Sequence, residues 1–131
     1  MDVRMRTTPF ASLLLLSLLG CADQPTVCTE SFAMVPLTVL TQGGVPVSGL
    51  AISATTLRTG QSFGIPQYPF GGPGAYIVFD DGLHDRIRAS GDSVRVTGSD
   101  AAPRFTADFV FDIPGGCHVR KVAGPDTVRV P

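Results

Sequence analysis

Residues 104–113 alternate without a break. Phe105, Ala107, Phe109, Phe111 and Ile113 fall on one face, and Thr106, Asp108, Val110 and Asp112 fall on the other. A period of two held over that length is a strand with one buried and one wet face, a pattern no helix satisfies. Such a strand must be covered by others, and the rest of the chain is suited to supply them. Glu30 is the only Glu and Lys121 the only Lys, so two common helix formers are almost missing. Val, Thr, Ile and Phe are frequent, and 15 Gly and 11 Pro punctuate the sequence. That composition favours short strands joined by tight turns.

Taken in order, residues 31–40 read as a first strand interrupted by Pro36, which demands a sheet edge or a bulge. Gln42-Gly43-Gly44 is a turn, and residues 45–57 read as a second strand, with Leu50, Ile52 and Ala54 alternating against Ala51, Ser53 and Thr55. Residues 60–74 lose all periodicity. Eight Gly and Pro residues surround Phe63, Tyr68 and Phe70 there. A loop that long without structure of its own is uncommon in a compact domain and is often functional, although an irregular crossover with its aromatics tucked onto the core is the plainer reading. Residues 75–79 form an apolar strand that turns at Asp80-Asp81-Gly82. Residues 83–89, with Ile87 between Arg86 and Arg88, continue the strand pattern, followed by Val94-Arg95-Val96, residues 104–113, 117–122 and 127–130. About seven strands separated by turn signals predict a single all-β domain, an antiparallel β-sandwich of transthyretin or immunoglobulin type; a small closed barrel is the alternative.

Ahead of the domain, Arg4 and Arg6 precede an apolar run, Leu13-Leu14-Leu15-Leu16-Ser17-Leu18-Leu19, which ends at Gly20-Cys21. A basic start, a short apolar middle and a small-residue end make a signal peptide, and the run falls short of the roughly 20 apolar residues of a membrane span. Leu18-Leu19-Gly20-Cys21 resembles the lipobox of bacterial lipoproteins. That resemblance implies cleavage before Cys21, acylation of Cys21 (palmitate-type chains), and export to the cell envelope. Ala22 rather than Asp follows the cysteine, which for this family points to the periplasmic face of the outer membrane. The division expected is signal peptide over 1–20, lipidated tether over 21–30 and sandwich over 31–131. With Cys21 lipidated, Cys28 and Cys117 remain, and in an exported protein an even remainder suggests a disulfide.

The stretch Thr38-Val-Leu-Thr-Gln-Gly-Gly-Val-Pro-Val-Ser-Gly-Leu-Ala-Ile52 resembles the opening of carboxypeptidase regulatory-like domains, which share a transthyretin-like (prealbumin-like) sandwich. Gly44, Pro46, Val47 and Gly49 fit that opening: a glycine turn, then Pro where a strand begins. The resemblance implies a fold and assigns no activity. The hydrolytic members of the transthyretin fold carry a His on the first strand, where this chain has Thr38.

The formal net charge of −1 gives no electrostatic footprint for nucleic acid. Asp80, Asp81, His84 and Asp85 are the densest group of oxygen and nitrogen donors, weak candidates for a metal such as calcium, but turns favour Asp and Gly for backbone reasons alone. His118 beside Cys117 reads as a surface residue next to a disulfide. No phosphate loop or metal-ligand spacing appears, so no cofactor is expected. The resulting expectation is a non-catalytic envelope lipoprotein. It meets the membrane through its lipid and binds a peptide, a glycan or another envelope protein through Phe63, Tyr68 and Phe70. The alternative is a metal-binding or enzymatic domain using the turn over residues 80–85.

Overall fold

The computed structural model describes residues 26–131. The expected signal peptide and the expected acylation site at Cys21 lie outside the described residues. Eight strands form two facing sheets, β1 (Met34–Thr41), β2 (Ala51–Thr56), β3 (Gln61–Gly64), β4 (Ala75–Asp80), β5 (Asp92–Ser99), β6 (Pro103–Asp112), β7 (Arg120–Ala123) and β8 (Thr127–Val130). One sheet runs β4-β1-β8 and the other β3-β2-β5-β6-β7. The all-β sandwich predicted from the sequence is the fold observed. One pair departs from the antiparallel rule: β8 lies parallel to β1, Thr38 opposite Thr127 through Thr41 opposite Val130. β8 arrives from β7 in the other sheet, so the crossover sets its direction where a hairpin would have reversed it.

The alternating strand behaves as its pattern requires. Phe105, Phe109, Phe111 and Ile113 are buried, while Thr106 and Asp108 face solvent. Phe111 stacks on Phe109 at 5.5 Å and, across the sandwich, on Phe79 of β4 at 4.6 Å. These three rings tie the two sheets together, with Leu37 and Val39 of β1 and Val94 and Val96 of β5 closing the core around them. Apolar area removed from water on this scale is the main force holding the sheets face to face.

Pro36 lies at a register shift between Val35 and Pro36 and stands opposite Ile77. β8 joins β1 only from Thr38 onwards, so the missing Pro36 N–H interrupts no ladder on that side. Ile77 in turn directs its own backbone groups outward to Gln67. Its N–H donates to Gln67 Oε1 at 2.9 Å, and its carbonyl accepts from Gln67 Nε2 at 2.8 Å. One side-chain amide thus pairs with the free edge of β4 as a neighbouring strand would.

Three segments differ from the sequence reading. Residues 60–74 are not irregular throughout, since Gln61–Gly64 pairs with β2 as an edge strand. The second strand begins at Ala51, not at 45; the earlier part holds only a bridge between Leu40 and Pro46. Residues 81–86 form a 3-10 helix in place of a strand, because the Asp80 side chain accepts from Gly82 N–H at 2.8 Å and starts a turn. Cys28 and Cys117 form a disulfide with Cα atoms 5.3 Å apart and 89 residues of separation. Closing a loop of that size contributes about 4–5 kcal/mol in the chain-entropy account.

Candidate functional site

β1 gives the sandwich two distinguishable ends. It begins beside the disulfide-pinned segment that follows Cys28 and runs for eight residues, about 25 Å, to the opposite end. At that far end Val39 N–H donates to Gly74 O at 2.7 Å and Val47 N–H to Val39 O at 3.0 Å, which brings residues 45–50 and 66–75 together. Tyr76 fastens the first of these segments. Its hydroxyl donates to Val47 O at 2.8 Å and accepts from Leu50 N–H at 3.2 Å. Gly74 fastens the second. A Cβ at that position would lie 2.9 Å from both Pro46 Cβ and Val39 O, and its φ of +78° suits glycine alone. Between the two segments lies an open depression of about 620 Å³, with Ser48, Gly49, Tyr68, Phe70, Pro73 and Tyr76 in its wall. Among the described residues, none that lines it is charged. Tyr68 and Phe70 are exposed, while Tyr76 is buried in its floor.

Phe63 stands apart from this pair. It sits on β3, half-buried, edge-on to Phe79 at 6.3 Å, with the Arg86 guanidinium 5.4 Å above its ring. Of the three aromatics singled out in the sequence, the structure brings Tyr68 and Phe70 into one surface and gives Phe63 to the core margin.

The four donors of the 80–85 turn go to separate partners. Asp80 is buried, with Oδ1 on Gly82 N–H and Oδ2 without a partner among the described residues, and burial raises its pKa. His84 Nδ1 meets the Asp81 carbonyl at 2.8 Å, and Asp85 faces Arg86. Asp81 turns inward. Its Oδ2 accepts from Ala33 N–H at 2.8 Å and from His118 at 2.6 Å, and its Oδ1 accepts from Val119 N–H at 2.7 Å. Burial pushes the Asp81 carboxyl up, but these hydrogen bonds outweigh it and hold the group below its ordinary value. Among the described residues no three His, Cys, Asp or Glu side chains converge as metal ligands.

His118, read in the sequence as a bystander, links two distant segments. Nδ1 meets Asp81, and Nε2 meets Thr29 Oγ1 at 2.9 Å, with Ser31 Oγ a further 2.7 Å from Thr29 Oγ1. A signal for part of this was present. Thr29 follows Cys28 and His118 follows Cys117, so the expected disulfide already set those two side by side. Nothing in the sequence pointed to Asp81 as their third member.

Asp92, at the start of β5, is the other polar centre. It accepts from Arg58 Nε and Nη2, both at 2.9 Å, and from the Arg88 N–H at 2.9 Å and Nε at 3.0 Å. The bond from Arg58 outweighs burial and, with those from Arg88, holds its pKa at about 2.

Fold and site together define a disulfide-closed two-sheet β-sandwich with an uncharged aromatic depression at one end and a hydroxyl–imidazole–carboxylate chain at the other. Comparison with protein-family models, with curated proteins and with solved structures found no match.

Proposed function

We propose that this protein is an envelope lipoprotein whose sandwich presents the Tyr68–Phe70 depression to a peptide, a glycan or another envelope protein. The observation that carries this reading is the depression itself: two exposed aromatic rings beside a glycine-rich wall, with no charge in the lining. Rings of this kind offer large apolar faces at low entropic cost, and Tyr68 adds a polar tip. A neutral, aromatic lining suits a neutral partner, and holds no acid, base or thiol to act on it. The tether implied by Cys21 leaves the domain next to Cys28, at the end opposite the depression. A membrane anchor there leaves the aromatic surface facing outward. The disulfide fits an oxidising compartment.

The test is a Tyr68→Ser, Phe70→Ser variant of the full chain, cross-linked in its own envelope and incubated with isolated cell-wall glycan. Both side chains are exposed, so the Tm stays within the scatter of the wild type while cross-links and glycan retention are lost. A variant that is folded and keeps every partner removes the depression from consideration, and one that melts early gives these rings a packing role instead.

A further inference from the structure

The geometry points to Thr29–His118–Asp81 as a hydrolytic relay that cleaves a carboxylic ester. It lies at the end of the sandwich away from the aromatic depression and does not rest on the binding reading.

The proton positions follow from chemistry. The ionised Asp81 carboxylate can only accept, so His118 Nδ1 carries a hydrogen and donates it across 2.6 Å. In the neutral ring Nε2 is then the acceptor, and the Thr29 hydroxyl, 2.9 Å away, donates to it. The single Thr29 hydrogen is thereby used, and Ser31 donates to Thr29 Oγ1. An acid that fixes the tautomer and an imidazole nitrogen aimed at a hydroxyl are the arrangement that turns a hydroxyl into a nucleophile. The parts are held in place from three sides. Backbone N–H groups of Ala33 and Val119 stop the carboxylate from rotating. The Cys28–Cys117 disulfide, one residue before both Thr29 and His118, prevents those two segments from parting. Thr29 and Ser31 are exposed, which leaves Oγ1 open to an incoming carbonyl.

In the reaction, Thr29 Oγ1 attacks the ester carbonyl carbon while its proton passes to His118 Nε2. The bond from that carbon to the alcohol oxygen breaks, and the alcohol leaves with the proton. Water, deprotonated by the same Nε2, then attacks the acyl-threonine, releasing the carboxylic acid and restoring the hydroxyl. Thr29 and His118 touch the reacting atoms; Asp81 acts through His118 and is a positioning residue.

The full chain in detergent is assayed with p-nitrophenyl acetate, and the stalled enzyme is mapped for an acetyl group. Thr29→Val keeps the side-chain shape and the fold, yet lowers turnover about 100-fold, and His118→Gln does the same. His84→Gln, the control for acylation of a surface imidazole, changes nothing. Asp81→Asn lowers kcat with KM unchanged. Acetyl appears on Thr29 of the wild type. Three results overturn the proposal: wild-type turnover no faster than buffer, turnover retained in folded Thr29→Val, which would mean that the imidazole attacks directly, or acetyl found only on other residues. Any of these leaves the chain of hydrogen bonds as a clasp only.

Discussion

Asp92 shows how one buried carboxylate can govern acid sensitivity. Its side chain is 1% exposed, yet two arginines and a backbone N–H keep it ionised with a pKa of about 2. An unfolded Asp titrates near 4, so the folded pKa is depressed. The contribution is therefore complete above about pH 4 and is lost as pH falls towards 2, and on the linkage scale it amounts to about 2 kcal/mol. Asp92→Asn should lower stability at pH 7 by that order and flatten the acid limb of a denaturant series between pH 4 and pH 2. An acid limb that is identical in the variant would mean that another carboxylate governs it. Asp80 has the opposite sign. Its buried Oδ2 has no partner among the described residues and burial raises its pKa, so ionisation there works against the fold as pH rises through the raised value. The two aspartates look alike in the sequence, each beside a turn. Only their partners, contributed by residues far along the chain or by none, separate them.

Elements were legible where the side chains alone decide the outcome. β6 could be read because both of its faces are specified residue by residue, and Pro36 marked an irregularity because its missing N–H must be accommodated somewhere. β3 could not, since Gln61-Ser62-Phe63-Gly64 carries one apolar residue, and it is a strand because β2 offers it a free edge. The segment after β4 looked like a strand, but Asp80 captures the Gly82 N–H locally and winds it into a 3-10 helix. The aromatic depression was half visible. Tyr68 and Phe70 stood out among glycines, whereas Ser48, Gly49 and Tyr76 joined them only through pairing across β1 and β4. Gln67 gave no sign of its role at the β4 edge. Gln67→Leu should leave Ile77 N–H and C=O unpaired, lowering stability by about 1–3 kcal/mol. It should also promote association through the opened edge, read as a concentration-dependent shift in sedimentation. A variant that is less stable but strictly monomeric would show that Gln67 satisfies the backbone without guarding it.

Across the molecule, the expected lipid anchor and the disulfide meet in one short stretch. Only six residues separate Cys21 from Cys28, so a lipid on Cys21 would hold the disulfide end of the sandwich close to the bilayer. Each buried methylene contributes about 0.8 kcal/mol, so two or three acyl chains would make attachment effectively permanent. Metabolic labelling with a fatty acid should mark the wild type and not Cys21→Ser; equal labelling of both would end the lipoprotein reading. The parallel pairing of β1 with β8 bears on how the chain reaches this state. β1 occupies the middle of its sheet, but its neighbours are residues 75–80 and 127–130. A polypeptide emerging progressively, from a ribosome or through a translocon, holds β1 ready long before the second of these exists. Its contacts are of high sequence separation, so loop-closure entropy must be met before any pairing rewards it, and folding of such topologies is slow. Until residues 127–130 arrive, the edge of β1 from Thr38 to Thr41 lacks its parallel neighbour, and its backbone groups are available to whatever holds an emerging chain unfolded.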